Sequence, residues 1–136
     1  LFGIHSSVEA FQLAFFLNTF LKTQLCRVSS DIEKGPHELF SVFEYEDVVN
    51  QQTWLLYSNK SFKTPELIEG VSLFDQSLLT TYLIPEKKEI DYFLKFNPGN
   101  ITCKNCLEIL RKIPQISACY ELDPSQLKSK NNLIFG

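Results

Sequence analysis

Glycine is scarce in this chain, with five in 136 residues. No glycine-rich stretch exists to wrap a phosphate, so a P-loop or a dinucleotide fingerprint is excluded. No apolar run approaches the ~18 residues that cross a bilayer as a helix, so a membrane span is not expected. Basic residues are in deficit: 13 Lys and Arg stand against 16 Asp and Glu, a net charge of −3. A general nucleic-acid binder needs a basic face to displace counterions, and this balance argues against one. The pairs Lys87-Lys88 and Lys128 with Lys130 read as solvated turns. Four cysteines are too few for a disulfide scaffold. The expectation is a cytoplasmic protein with reduced thiols. Methionine is missing altogether, and the chain starts at Leu1 with strand-like residues and no charged-then-apolar leader; a few residues are expected to precede it.

What is abundant is apolar. Hydrophobic residues make up 44% of the chain and twelve are Phe, which suits one packed domain over 1–136 rather than a disordered tail. Leu1 to His5 reads as a strand. Ser6-Ser7 and Glu9 then introduce a helix from Val8 to about Lys22. Leu25 to Val28 is again strand-like, which completes a βαβ unit. A second unit closes the chain. Ile90, Tyr92, Leu94 and Phe96 alternate with Asp91, Phe93 and Lys95 at the period of a strand with one face inward. A helix over about Thr102 to Ile113 follows and stops at Pro114. Ile116 to Leu122 is the last strand. Between the units, Leu39 to Glu46 and Thr53 to Ser58 read as a hairpin. Residues 60–77 read as a surface excursion, and Leu78 to Ile84 as a strand turned by Pro85 into the one at Ile90. Two βαβ units around antiparallel strands predict an α+β ferredoxin-like sandwich, with an enlarged, mostly antiparallel sheet and two helices on one face.

The two helices differ. In the second, Cys103, Cys106, Leu107, Leu110 and Ile113 share one stripe, as in any amphipathic helix on a sheet. The first has an apolar face of Ala10, Leu13, Ala14, Leu17 and Leu21, and nearly opposite it a second stripe of Val8, Phe11 and Phe15. That stripe needs cover. Leu133-Ile134-Phe135 folding back is the expected cover, and a homodimer interface is the alternative.

Few residues point to chemistry. Cys103-Lys104-Asn105-Cys106 at a helix start fits a redox dithiol or a soft-metal pair. Locally, the run from Ile101 to Ile116 looks like the Thr-Cys-x-x-Cys loop of heavy-metal-associated domains, with Ile101 in place of the usual Met. The stripe analysis instead puts both cysteines toward the core, where a free Cys serves as a small hydrophobe. Cys26 and Cys119, inside strands, are expected to pack likewise. Glu86 and Asp91 flank a turn and could act as an acid/base pair or as hard-metal ligands; the plainer reading has Glu86 tying the turn and Asp91 holding a backbone amide. His5 and His37 lie 32 residues apart without metal-ligand spacing. Ser6-Ser7 lacks the glycines of a nucleophile elbow. No cofactor motif is present.

Ile84-Pro85-Glu86-Lys87-Lys88-Glu89-Ile90-Asp91-Tyr92 reads Ile-Pro-Glu, three variable residues, aliphatic, Asp-Tyr. It resembles the bacterial IPExxxVDY family, with Ile90 where the family name has Val. Glu44-Tyr45-Glu46, Ser58-Asn59-Lys60 and the run from Leu127 to Phe135 extend the resemblance over most of the chain, while 61–77 is longer than the family pattern. The family has no assigned activity and supplies no catalytic residues. The resemblance implies a shared polar locus of Tyr45, Asn59, Lys60, Glu86, Asp91 and Tyr92. The reading that fits is a non-catalytic binding or interaction module with a protein or small-molecule partner. The alternative is a soft-metal or thiol-redox protein using Cys103 and Cys106, and an enzyme using Glu86 and Asp91 comes third.

Overall fold

The structure is a computed structural model that describes residues 1–28, 32–35, 38–62, 80–97, 105–129 and 131. In chain order its elements are β1 (Phe2–His5), α1 (Ala10–Leu21), β2 (Cys26–Arg27), β3 (Ile32–Gly35), β4 (Glu38–Phe40), β5 (Val42–Asp47), β6 (Gln52–Ser58), β7 (Lys60–Phe62), β8 (Thr80–Tyr82), β9 (Tyr92–Asn97), α2 (Cys106–Arg111) and β10 (Ala118–Glu121). Short 3-10 turns cover Pro85–Lys87 and Pro124–Gln126. The architecture is α+β. Six strands form one antiparallel sheet in the order β10-β1-β9-β6-β5-β2, and β3-β4 and β7-β8 are separate two-stranded ribbons.

Both faces of the sheet are buried, because its central strands are apolar on both sides. Ile4, Phe43, Trp54, Leu56, Tyr92 and Leu94 pack with Leu13 and Leu17 of α1 and with Leu110 and Ile113 around α2. Both helices therefore cover the same face. Val42, Leu55, Tyr57 and Phe93 point the other way and pack under Phe40, Leu83, Ile84, Ile90 and Leu127. Each such side chain, fully buried, contributes about 1.5–3 kcal/mol. The single inward face expected of the strand at Ile90 is corrected here. Phe93 is as fully buried as Leu94, on the opposite side, and Ile90 precedes β9 and packs with Phe93 rather than with Tyr92.

Gly3 shows how closely the second layer approaches. A Cβ there would come within 2.9 Å of Ile90 Cδ1 and 3.1 Å of Leu122 Cδ1. A side chain there would require the buried Ile90 side chain to move off β1.

Other expectations shift in detail. The helix expected from Val8 begins at Ala10. Its N-cap is Glu9 rather than a serine, in a reciprocal capping box with Gln12 in which Glu9 N–H donates to Gln12 Oε1 at 3.1 Å. Its end at Lys22 is left-handed, with φ 57°. The strand expected over Leu78 to Ile84 is limited to β8 within the described residues, and it pairs with β7, not with β9. The β3–β4 ribbon was not anticipated. Residues 101–104, at the expected start of the second helix, lie outside the described residues; α2 begins at Cys106.

Candidate functional site

Asp91 stands one residue before β9 and is fixed through its backbone. Its N–H donates to Ile4 O at 3.1 Å, and its carbonyl accepts from Asn59 N at 3.0 Å. The residue thus sits where β1 and β6 both end. Its carboxylate is divided between two partners. Oδ2 accepts from the Ser6 backbone N–H at 2.9 Å, and Oδ1 accepts from Lys60 Nζ at 2.9 Å. The hydrogen bond to Asp91 raises the Lys60 pKa above its ordinary value, against a smaller opposing effect of desolvation. The pair is partly open to solvent, with side-chain exposures of 37% for Lys60 and 24% for Asp91, so its contribution to stability is about 1 kcal/mol or less.

Around this pair lies a cleft of about 270 Å³ lined by Ser6, Ser7, Val8, Glu9, Ser58, Lys60, Asp91 and Tyr92. Three pieces of chain build it: the β1–α1 loop, the junction of β6 with β7, and the start of β9. Ser6 is buried, and its hydroxyl donates to Gln115 O at 2.7 Å. Ser58 Oγ donates to Lys60 O at 3.1 Å, which shapes the junction. Tyr92 Oη donates to Val8 O at 2.6 Å and fixes the loop above the strand. Burial, with the nearby charges of Asp91 and Glu9, pushes the Tyr92 phenol up to about 12.

The six residues of the expected polar locus separate into three groups. Lys60, Asp91 and Tyr92 line the cleft together. Asn59 is next to them but fully buried. Its amide nitrogen donates to Lys87 O at 2.9 Å and Ile90 O at 2.8 Å, and its Oδ1 accepts from Ile84 N at 2.8 Å. Asn59 thereby fastens the Ile84–Ile90 turn to the end of β6. Glu86 lies apart from the cleft. Its oxygens accept from Ser129 N at 2.7 Å and from Ser129 Oγ at 3.0 Å, which holds the segment after Leu127. Desolvation alone would raise the Glu86 pKa, but the bonds from Ser129 together with those from the backbone N–H groups of Glu86 and Lys128 outweigh it, and the net shift is downward. Tyr45 is remote as well. It pairs with Trp54 in the β5–β6 register, four residues from Ser58 and so roughly 13 Å along the strand. An acid/base pairing of Glu86 with Asp91 has no support in this arrangement, since each carboxylate serves a different segment.

Ser7, Glu9 and Ser58 were not singled out as site residues from sequence. The available signal was Ser6-Ser7 directly after a strand and before a helix, the loop position where ligands commonly meet a sheet.

The cysteines divide differently from the expectation. Cys106 is buried, and it is disulfide-bonded rather than reduced as expected. Cys103 lies outside the described residues. Cys26 carries a free thiol and is exposed, so it is not the packing residue expected; β2 is an edge strand that turns this side chain to solvent. Cys119 is free and buried, and burial pushes its thiol up to about 11 despite the Arg111 charge. His5 Nε2 meets Tyr120 Oη at 3.0 Å, and His37 lies outside the described residues. Among the described residues no three His, Cys, Asp or Glu side chains gather as metal ligands would. No helix among them is long and apolar enough to cross a membrane.

Val8, in the loop before α1, is half-buried against the core, but Phe11 and Phe15 on α1 stand 60% and 65% exposed. The expected cover, Leu133-Ile134-Phe135, lies outside the described residues.

No family model, no curated protein and no solved structure matches this chain.

Proposed function

We propose that this chain is a non-catalytic binding module of the IPExxxVDY type, built on a ferredoxin-like sheet enlarged by an inserted hairpin, with a small-molecule ligand in the Lys60–Asp91 cleft. The topology is supported by the strand order. Removing β6 and β5 from β10-β1-β9-β6-β5-β2 leaves β10-β1-β9-β2, the arrangement of two interleaved βαβ units. The observation that carries the functional reading is the convergence of Lys60, Asp91 and Tyr92. Lys60 comes from one part of the resemblance and the adjacent Asp91 and Tyr92 from another, yet all three share one solvent-open cleft around a 2.9 Å ion pair.

Binding rather than catalysis is supported by the protonation of the groups present. Lys60 is held more firmly protonated than an ordinary lysine, and Tyr92 keeps its proton to about pH 12. Neither is poised near neutrality, as a general base would be. The test is an amide-shift screen of small polar compounds on the whole chain. Saturable shifts confined to residues 6–9, 58–60 and 91–92, weakened in Lys60→Met, are the expected result. Chemical conversion of a bound compound would overturn the non-catalytic reading.

The disulfide at Cys106 favours thiol-redox chemistry as a second reading. It requires that Cys106 resist alkylation until a reductant is added and that the reduced protein reoxidise without unfolding. A Cys106 that alkylates freely in the untreated protein removes it.

A further inference from the structure

The cleft brings both signs of charge to one small volume. Lys60 supplies one positive charge, and Asp91 and Glu9 supply two negative ones, for a local balance of 1 − 2 = −1. An inorganic anion entering here would meet one cation and two carboxylates. At the start of α1 the capping box takes the N–H groups of Glu9 and Gln12, which reduces the set of helix-end donors that would ordinarily favour an anion. A simple cation would meet Lys60. An apolar ligand would strip water from the Lys60–Asp91 pair and return no hydrogen bond, a costly exchange.

Capacity remains for a ligand that carries both charges. Lys60 Nζ has three protons and directs one to Asp91 Oδ1. The Asp91 carboxylate accepts one bond at each oxygen, from Lys60 and from Ser6, and a carboxylate has about four lone-pair sites. Ser7 and Glu9 are exposed on the rim. The volume of about 270 Å³ falls just under the ~300–1,000 Å³ of sites for drug-sized ligands, which suits a metabolite of few heavy atoms.

Building on the binding reading above, we propose that the cleft takes a small amino-acid-type zwitterion, its carboxylate held by Lys60 and Ser7 and its ammonium by the carboxylates of Glu9 and Asp91. Tyr92 forms the wall between the two poles. Its phenol is buried beside both carboxylates and keeps its proton, so it adds no further charge.

The experiment is an amide-shift titration of the whole chain with glycine, L-alanine and L-serine. Two half-molecules, ethanolamine with the cationic pole alone and glycolate with the anionic pole alone, accompany them, with inorganic phosphate and glucose as the anionic and neutral probes. At least one amino acid is expected to shift Ser7, Lys60 and Asp91 saturably and to bind about tenfold or more tighter than either half-molecule, as loss of one charge-assisted hydrogen bond implies. Lys60→Met and Glu9→Gln should each weaken it by a similar factor. Glu9 is exposed and Gln keeps a capping-box acceptor, so that variant reads binding rather than folding. Ethanolamine or glycolate binding as tightly as the amino acids, or phosphate or glucose occupying the same residues instead, overturns the zwitterion and leaves the cleft as a ligand site. No probe shifting these amides overturns both the zwitterion and the cleft reading.

Discussion

Asn59 has no exposed surface, and both ends of its side-chain amide are engaged: the nitrogen with Lys87 O and Ile90 O, the oxygen with Ile84 N. An aspartate of the same shape would turn an acceptor toward two buried carbonyls that now receive N–H donors. Asn59→Asp is therefore expected to cost about 3 kcal/mol or more, the penalty for leaving buried carbonyls unsatisfied and burying a charge. A urea midpoint equal to that of the wild type would contradict this role. In sequence, Asn59-Lys60 reads as two adjacent polar residues of one locus. The structure gives them different tasks because Asn59, between β6 and β7, reaches under the turn, whereas Lys60 begins β7 and reaches Asp91.

At the scale of elements, two contacts make separable predictions. Glu86 binds the segment after Leu127 through Ser129, and its carboxyl is held below the ordinary 4.5. A depressed carboxylate contributes stability that is present above its unfolded value and lost as pH falls through its folded one. The Ser129 amide should thus stay protected at neutral pH and lose hydrogen-exchange protection as acidification below about 4.5 protonates Glu86. Glu86→Gln should show weaker protection at neutral pH and no such further loss on acidification. The Lys60–Asp91 pair behaves oppositely: with Lys60 raised, its contribution is present below 10.5 and lost as pH climbs above it. The second contact guards a sheet edge. β10 is the outermost strand, and Arg111 Nε donates to its Cys119 carbonyl at 3.2 Å. Exposed edges invite pairing with other chains. Arg111→Ala should leave the far-ultraviolet circular dichroism unchanged, since Arg111 is exposed, but raise light scattering on concentration. Scattering that stays at the wild-type level would show that the edge is protected by something else.

Across the whole molecule, the sheet carries two cores, one under the helices and one under the segment from Leu83 to Ile90 with Leu127. Phe11 and Phe15 belong to neither, so Phe11→Glu is expected to change unfolding stability by no more than about 0.5 kcal/mol, as at an ordinary surface site. A large loss would mean that the ring is buried in solution. The same double burial explains why motif residues distant in sequence act together. Ile90 and Phe93 anchor the turn and β9 on one face while Tyr92 and Leu94 hold the other. Asp91, between them, keeps its place at the mouth of the cleft.

Local pattern alone determined the α+β class, the hairpin of β5 with β6, the first helix and the final β-α-β run, because alternation and 3.6-residue periodicity follow from backbone geometry within a few residues. It did not mark Asp91 and Tyr92, which entered the polar locus with Lys60 through the motif resemblance. Which partners those side chains take was decided only by tertiary structure. Glu86 and Asp91 are five positions apart in one motif, yet one carboxylate reaches Ser129 and the other reaches Ser6 and Lys60. Glu9 and Ser7, which carry no motif, join the cleft because β1 lies beside β9 in the sheet. Strand order and the direction of each side chain are set by long-range pairing and by burial on both faces, and no periodicity along the chain encodes them.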